Sequence, residues 1–583
     1  MINNIDEMIK KYNLEFEKYN IEEKKTSLLR VLLFIFTTTI LIIALNYNNL
    51  FLKLITLIST LIFIVLIIYH KKIYTIKDYY ENYIKILKQY KMRTSDEWKK
   101  FNDIGEEFIN DENYVLQDLD VIGKNSLFQF INISKTVGGR KKLINRLSNQ
   151  KITFQNLIKN QQAIEEISRN LDFSINIQVL LNQIKEKNQK IDIKEDLKNL
   201  NKKTNFKMVD LVIGTILSGI SILIFICALL NILNWSFFVL IVIIQFVQSY
   251  IYVYIFTDTF NIITKSSRNI NGFYEICNYI ENYNFSSNLL KEKQSKIKKA
   301  STGIKQLKTV NELNNLRFNF LSNIIANTFI PLNTLIIYQF SKFQKQYDEI
   351  FKEGLLTIED FEVLCSLAII GQVKENVCFP QMTENIKLDF TDLKHPLLNN
   401  CVSNSFNCND DVNIITGSNM SGKTSFLRTI GINIILMNAG TYVNAKEFSA
   451  SYLKIFTSMR INDDLAHGIS TFYAEILRIK TAIDYQDKKE NMIVLIDEIF
   501  KGTNFNDRIF GAKSIIEKLN KENVILFVTT HDFELCGIDK IKNYHFREYY
   551  ENDKIKFDYK IKQGECKTTN AKYLMKIAGI IDN

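Results

Sequence analysis

A strand, a glycine-rich loop and a helix, predicted over residues 412–437, constrain the fold of this chain most. The apolar run Val412 to Ile415 predicts a buried strand, and residues 425–437 have helical spacing. Between them, Gly417 to Thr424 fits the pattern G-x-x-x-x-G-K-[ST]. Such a loop binds phosphate, because its backbone N–H groups and the helix dipole both attract anions. The chain is therefore expected to contain an α/β nucleotide-binding domain.

Each fixed position of this loop has a predicted role. Gly417 and Gly422 let the backbone turn its N–H groups towards the phosphates. Lys423 is expected to reach the β and γ phosphates, and the Thr424 hydroxyl to ligate Mg²⁺. The strand and helix on either side argue against an ordinary glycine-rich turn. The predicted nucleotide-binding residues are Gly417, Ser418, Asn419, Met420, Ser421, Gly422, Lys423, Thr424 and Ser425.

Two further apolar runs supply candidate catalytic side chains. Met492 to Ile496 is typical of a central strand and ends in Asp497 and Glu498. Two carboxylates at the end of a buried strand are costly unless a metal or a water uses them. Asp497 is therefore predicted to bind Mg²⁺, and Glu498 to orient or deprotonate the attacking water. A third run, Val524 to Val528, leads to His531, which is expected either to sense the γ-phosphate or to cap a helix before Asp532.

These motifs, in this order, resemble the ATPase domain of the MutS family, the DNA mismatch-repair ATPases of the ABC type. The matching segments are Phe379-Pro380, His395 to Leu397, Thr416 to Thr424, Asp463 to Leu465, Gly468 to Glu475, Asp497 to Asn504, Thr530-His531 and Asn570 to Gly579. The resemblance implies that ATP and Mg²⁺ are held between two nucleotide domains, and hence a homodimer. It also implies that Ser470 and Thr471 act in trans, at the nucleotide held by the partner chain.

One departure concerns the adenine base. MutS proteins place an aromatic and an aliphatic residue against adenine, whereas the matching positions here are Cys401 and Val402. The candidate adenine contacts are Val402 and Phe406. Two alternatives follow from the departure: either selectivity for adenine is weaker, or Phe406 substitutes for the missing aromatic residue.

The resemblance extends upstream more weakly. Residues 126–166 are similar to the start of the MutS helical core, or lever, although a generic amphipathic helical stretch is the alternative. Nothing before residue 113 resembles the mismatch-reading domain of the family. Mismatch recognition is therefore not expected.

Four long apolar stretches are present in the N-terminal half of the chain. They form two pairs with short polar turns: Leu28 to Leu45 with Leu50 to Tyr69, and Val209 to Leu230 with Trp235 to Phe256. Each is close to the roughly 20 residues that cross a bilayer. Buried core helices are the alternative, but paired stretches with four-residue polar turns favour two transmembrane hairpins.

Positive charge predicts the orientation. It lies outside the turns, at Lys24, Lys25, Arg30, His70, Lys71, Lys72, Lys202, Lys203 and Lys207. By the positive-inside rule, the N-terminus and the C-terminal half face the cytoplasm. We therefore expect a multi-pass protein of the cell membrane, with its ATPase domain in the cytoplasm.

A fifth apolar stretch, Phe318 to Phe340, is interrupted by asparagines and by Pro331. A further crossing would carry residues 341–583 away from cytoplasmic nucleotide. We therefore predict a buried lever helix here.

The predicted architecture is an α/β P-loop ATPase of the ABC/MutS type, preceded by an α-helical lever domain and four transmembrane helices. The expected divisions are a cytoplasmic helix (1–26), hairpin 1 (27–70), a linker helix (71–112), the helical core (113–207), hairpin 2 (208–257), the second part of the core or lever (258–375) and the ATPase domain (376–583). Eight scattered cysteines without a C-x-x-C indicate neither a disulfide framework nor a zinc site.

Three functions fit these features. The first is a membrane-anchored MutS-like ATPase that acts on DNA. The second is a membrane machine that clamps or remodels a protein or lipid partner, and the third is an ABC-type transporter. Transport is least favoured, because the apolar stretches lack paired ionisable residues. A basic run between Lys291 and Lys308 fits either an anionic partner or a solvated helix face.

Overall fold

The computed structural model describes residues 2–47, 50–148, 151–184, 191–200, 202, 204, 206–230, 232–318, 320–418, 420–460, 471–500, 504–551 and 554–565. The chain divides into two compact units. The first comprises Met1–Trp98 and Leu171–Gln183, and the second comprises Lys99–Asn170 and Ile184–Asn583.

The first unit is built on two long helices, and a shorter helix packs on the second of them. Its helices are α1 (Ile2–Tyr47), α2 (Leu50–Arg93) and α7 (Leu171–Gln183). Ion pairs of α1 with α2 join Asp6 to Lys91 at 2.7 Å and Glu23 to His70 at 3.3 Å, so the two helices run antiparallel. Because α1 passes without a break through residue 26, the predicted cytoplasmic helix and first span are one helix.

The second unit begins with helices that lead to a long helical stem. They are α3 (Tyr114–Asp118), α4 (Leu127–Ile131), α5 (Val137–Leu147), α6 (Phe154–Arg169), α8 (Ile193–Leu200), α9 (Met208–Leu229), α10 (Trp235–Ile255), α11 (Thr257–Glu281), α12 (Asn288–Leu316), α13 (Phe320–Phe329) and α14 (Leu332–Val373). Local sequence sets several starts: the side chains of Ser126, Thr136 and Thr153 accept the N–H groups that cap α4, α5 and α6.

Four helices of the described residues are long and apolar enough to cross a membrane, and a bent helix pair would make five if it formed one span. The four lie within α1, α2, α9 and α10, where most of their large apolar side chains are exposed. A soluble protein rarely exposes so much contiguous apolar surface.

The segment predicted to be one buried lever helix is broken. Pro331 lacks an N–H and restricts its own φ, so it separates α13 from α14, and the two helices are bent by 79°. The single-helix prediction for Phe318 to Phe340 is therefore wrong. Its second half belongs to α14, the longest helix of the second unit among the described residues.

The C-terminal part of the second unit is an α/β domain. Its helices are α15 (Lys423–Asn438), α16 (Thr471–Gln486) and α17 (Phe505–Leu519). Its strands are β1 (Gln381–Thr383), β2 (Leu388–Leu393), β3 (Asn404–Cys408), β4 (Val412–Thr416), β5 (Glu447–Ser451), β6 (Lys454–Ser458), β7 (Met492–Asp497), β8 (Val524–Thr529), β9 (Lys542–His545), β10 (Glu548–Glu551), β11 (Lys554–Phe557) and β12 (Lys562–Gln563).

The main sheet has six strands in the order β12-β9-β4-β8-β7-β6. All neighbours are parallel except β12 and β9. A four-stranded sheet of order β1-β5-β2-β3 mixes parallel and antiparallel pairs, and β10 with β11 forms a hairpin. In β4, β7 and β8 almost every residue is buried, which is why these strands are continuous apolar runs.

Candidate functional site

The candidate site lies where three parallel strands end together. β4 pairs with β8, and β8 pairs with β7, so the carboxyl ends of all three meet at one edge of the sheet. Ligands of open α/β sheets bind at this edge. The residues that follow the three strands are the glycine-rich loop, the pair Asp497 and Glu498, and the segment ending in His531.

The glycine-rich loop has the backbone that its sequence requires. Gly417 and Gly422 adopt φ angles of 142° and 109°, in the region that favours glycine. Lys423, which begins α15, is buried and donates from Nζ to the carbonyl oxygens of Gly417 at 2.7 Å and Ser418 at 3.0 Å. The lysine ammonium therefore lies against the loop whose N–H groups would hold phosphate.

Asp497 and Thr424 meet as their predicted shared role requires. The Thr424 hydroxyl donates to Oδ2 of Asp497 at 2.7 Å. Oδ1 of the same carboxylate accepts from the Thr529 hydroxyl at 2.6 Å, which fixes the carboxylate between α15 and β8. Mg²⁺ takes one or two protein oxygens and completes its shell with phosphate and water. A hydroxyl and a carboxylate in contact fit that pattern.

Glu498 and His531 complete the cluster. Nε2 of His531 lies 3.4 Å from Oε1 of Glu498 and 3.4 Å from Nζ of Lys423. Burial and the Lys423 ammonium together hold the pKa of His531 below its ordinary value, although Glu498 opposes them. Glu498 adopts a φ of 54°, a strained backbone for a residue with a side chain. Strain of this kind concentrates at functional sites.

The remaining predicted loop residues differ in their surroundings. Ser418 donates to the buried carboxylate of Glu548 at 2.8 Å. Ser421 is buried, whereas Met420 and Ser425 are exposed. Asn419 and Ser470 lie outside the described residues, and Thr471 begins α16.

Of the two candidate adenine contacts, Val402 is half-buried. Phe406 is only 7% exposed and packs in an aromatic cluster, with its ring 4.8 Å from that of Tyr544 and 5.4 Å from that of Phe527. A ring enclosed in this way is part of the core. This placement does not favour the predicted contact of Phe406 with adenine.

Sequence reasoning missed residues that orient the site. The Thr529 hydroxyl accepts the Glu498 N–H at 2.9 Å while it donates to Asp497. Glu475 accepts the Phe500 N–H at 2.9 Å, and burial raises its pKa to about 7. Thr529 could have been found, because it ends the strand next to β7 in a parallel sheet.

Asp118 of α3 also contributes to this region. Its carboxylate accepts the Thr457 hydroxyl at 2.8 Å and the N–H groups of Met459 and Arg460 at 3.2 Å each. The helical part of the unit thereby holds the end of β6. Nothing in the motif pattern pointed to this residue.

The conformation of Gly417 leads to a testable prediction. A Cβ at this position would lie 2.5 Å from the backbone oxygen of Phe546, and the φ of 142° is unsuited to a side chain. Gly417→Ala is expected to weaken ATP binding about 10-fold or more, the effect of losing one charge-assisted phosphate contact. Titration with a fluorescent ATP analogue measures it.

Gly537→Ala is the matched control, because no described heavy atom lies within 4 Å of a Cβ at this position. Unchanged affinity in Gly417→Ala would show that the loop does not need its glycine conformation.

Comparison with known proteins agrees with this geometry. Residues 413–583 match the family model described as MutS domain V. The C-terminal part of this chain is therefore similar to domain V of the MutS family. The chain is 31% identical over 247 residues to the DNA mismatch repair protein MutS of Methanosarcina mazei, and 32% identical over 237 residues to that of a Geobacillus species. A Staphylococcus aureus MutS is 29% identical over 265 residues.

These matches cover only part of each protein. They include 39%, 38% and 43% of this chain, and 27%, 27% and 30% of the three relatives respectively. The chain thus spans less than a third of the length of the curated MutS proteins it matches. The MutS domain V match includes β4 from residue 413, the glycine-rich loop, β7 and β8, and therefore Lys423, Thr424, Asp497, Glu498 and His531.

Proposed function

We propose that this chain is a membrane-anchored, MutS-like ATPase that hydrolyses ATP with Mg²⁺. The observation that supports this most is the meeting of Lys423, Thr424, Asp497, Glu498 and His531 at one edge of the sheet. These groups supply a cation, two magnesium ligands, a base and a γ-phosphate sensor. Phosphoryl transfer needs this combination, since its catalysis consists mainly of positioning and charge stabilisation.

Each side chain has one task in the proposed mechanism. Lys423 moves from the carbonyls of Gly417 and Ser418 to the β and γ phosphates, with the loop N–H groups beside it. Thr424 and Asp497 would hold Mg²⁺, and the ion would supply positive charge to neutralise the phosphates. Glu498, held through its N–H by Thr529, accepts a proton from the attacking water, and His531 contacts the γ-phosphate.

A homodimer is proposed as the active form. By family resemblance, Ser470 and Thr471 of one chain approach the γ-phosphate bound by the other. ATP binding would close the two domains, and hydrolysis would release them. The Asp118 carboxylate accepts the N–H groups of Met459 and Arg460 just after β6, so the helical part of the unit contacts the α/β domain directly.

The four apolar helices are proposed to anchor the protein in the cell membrane, with the ATPase domain in the cytoplasm. Cysteines at Asn234, in the turn between α9 and α10, and at Asn506, in α17, test this topology. We expect a membrane-impermeant thiol reagent to label Asn234→Cys on intact cells, and Asn506→Cys only after the membrane is opened. The turn cysteine Asn48→Cys, outside the described residues, should behave like Asn234→Cys. Labelling of Asn506→Cys on intact cells would mean an odd number of crossings.

The partner on which the ATPase acts has two candidate classes. The relatives are named DNA mismatch repair proteins, which favours DNA. The exposed apolar helices favour instead a protein or lipid partner at the membrane. DNA binding by detergent-solubilised protein over a salt series separates them, because phosphate contacts weaken steeply with salt. Binding that falls with salt supports DNA, and no binding at low salt supports the membrane partner.

A further inference from the structure

Helix α13 is the part of the second unit that neither the nucleotide site nor the predicted hairpins explain. It lies between α12 and α14, which pack antiparallel: Lys293 pairs with Asp360 at 2.6 Å near one end, and Gln306 contacts Gln339 at 3.4 Å nearer the other. The chain therefore runs out along α12, passes through α13 and returns along α14. α12 and α14, which join the two ends of α13, therefore both lie on the same side of it.

Polar contacts seat α13 and the helix break in the hairpin of α9 and α10. The Ser221 hydroxyl, near the middle of α9, donates to the Thr328 carbonyl at 2.5 Å. Gln245, near the middle of α10, donates to Ser221 at 3.2 Å. Asn333, in the first turn of α14, donates to Ser249 of α10 at 2.6 Å. These partners satisfy polar groups, including a carbonyl near the break, that hydrocarbon could not.

Apolar packing reinforces the same arrangement. The ring of Phe329 lies 5.4 Å from that of Phe225 and 6.3 Å from that of Phe238, on the two hairpin helices. A Cβ on Gly214 of α9 would lie 2.9 Å from the Pro331 ring, so a glycine is needed where the break meets α9. Ile325 and Ile330 are 59% and 52% exposed, like the outward side chains of α9 and α10. An apolar surface continuous with two spans fits lipid hydrocarbon.

The other end of α14 reaches the nucleotide domain. Leu367 is fully buried, and its carbonyl accepts the Thr441 hydroxyl at 2.7 Å. A Cβ on Gly371 would lie 2.4 Å from the Tyr442 ring. The Thr441 N–H in turn donates to the Leu436 carbonyl in the last turns of α15. α14 thus contacts Thr441 and Tyr442, in the segment that follows the helix beginning with Lys423.

We propose that α13 and the first turns of α14 form a re-entrant membrane segment, docked on the α9–α10 hairpin and open to lipid. It enters and leaves at the cytoplasmic face. Through α14, a continuous helix of 42 residues, this segment and the nucleotide site act on one another. At 1.5 Å per residue the helix is about 63 Å long, enough to join a membrane to a soluble domain. The inference rests on the proposed membrane-anchored ATPase.

Spin labels test the re-entrant segment. Single cysteines at Ile325, Leu223 and Ile350, in a background without the eight native cysteines, are labelled in detergent and reconstituted in phosphatidylcholine vesicles. All three native side chains are exposed. Ile325 lies on α13, Leu223 lies on α9, and Ile350 lies on α14 beyond the apolar first turns of that helix. We expect the labels at Ile325 and Leu223 to be relaxed by oxygen and not by a water-soluble nickel chelate. The label at Ile350 should show the reverse.

The outcomes separate the two proposals. Nickel access at Ile325 with none at Leu223 would overturn the re-entrant segment and leave the membrane anchor intact. Nickel access at both positions would refute the membrane anchor itself. External labelling of Asn506→Cys would turn the bent pair into a fifth span.

A glycine pair on α9 tests the coupling through α14. Gly214→Leu places a side chain against Pro331, whereas a Cβ on Gly219 meets no atom of the described residues within 4 Å. We expect Gly214→Leu to lower ATP turnover about 5-fold or more, the lower end of usual coupling between sites, with unchanged ATP affinity. Gly219→Leu should retain the wild-type rate. Ser249→Ala, which removes the acceptor of Asn333, is a milder second variant and should lower turnover less.

Monodisperse protein in detergent and unchanged affinity for a fluorescent ATP analogue distinguish lost coupling from misfolding. If Gly214→Leu does not fold, Ser249→Ala decides. Wild-type turnover in every folded variant would overturn the coupling, and equal loss in Gly214→Leu and Gly219→Leu would assign the effect to hairpin packing in general.

Discussion

Lys423→Ala is expected to abolish tight ATP binding, whereas Glu498→Gln is expected to keep binding and nearly stop turnover. Lys423 contributes charge-assisted contacts to the bound ground state, each worth about 1.5–3 kcal/mol, so affinity should fall by about 100-fold. Glu498 acts on the attacking water, and the loss of a general base lowers turnover by about 10²–10⁴-fold. Equilibrium binding of a fluorescent ATP analogue and steady-state phosphate release measure the two quantities.

Matched controls lie on α17 of the same domain. Lys513→Ala and Glu517→Gln remove the same charges from exposed positions and should leave binding and turnover unchanged. The assignment is contradicted if Lys423→Ala and Glu498→Gln lose ATP binding equally, since a base that acts only on water does not contribute to ground-state affinity.

Mixed dimers of a Ser470 variant with a Lys423 variant are expected to recover ATPase activity that neither parent has. Each dimer contains two shared sites. If Ser470 acts in trans, one site combines an intact Lys423 with an intact Ser470, and the other carries both lesions. Each mixed dimer should therefore hydrolyse ATP at one of its two sites, unless turnover requires both sites at once. ATPase rates of co-expressed, doubly tagged heterodimers provide the measurement.

The cis arrangement gives the opposite result. If Ser470 serves the site of its own chain, every site in the mixed dimer carries one lesion, and mixing restores nothing. Heterodimers that bind ATP but hydrolyse it no faster than either parent would count against the shared site. A mixture of Lys423→Ala with Glu498→Gln gives a useful reference, because both of these residues belong to one chain's half of the site.

Much of the C-terminal α/β domain could be predicted because its signals are local. A loop that needs two glycines, a lysine and a threonine occupies eight consecutive positions, and β4 and α15 lie where the pattern predicts them. The apolar runs ending at Asp497 and before His531 form the adjacent strands β7 and β8. Parallel pairing alone then brings their ends together, which is why the candidate catalytic residues meet.

The features that the sequence did not reveal depended mostly on distant partners. Phe406 looked available for adenine, yet it packs against Phe527 and Tyr544, which lie more than a hundred positions further along the chain. The lever prediction for Phe318 to Phe340 used its asparagines and Pro331 as arguments against a membrane span, but did not anticipate that Pro331 breaks the helix. The role of Asp118 was invisible, because an isolated aspartate carries no signal until the strand that it holds is known.

The sequence by itself determined the similarity of residues 413–583 to MutS domain V, the residue types of the glycine-rich loop and of the strand ends, and which helices are apolar enough to cross a membrane. These properties depend on residue type and on spacing within single elements. Only the tertiary structure decided that Thr529 orients Asp497 and Glu498, and that α13 docks on α9 and α10. It also decided that one helix reaches from this hairpin to Thr441, in the segment that follows α15. Such contacts join residues far apart in the chain, so they follow from how the elements pack.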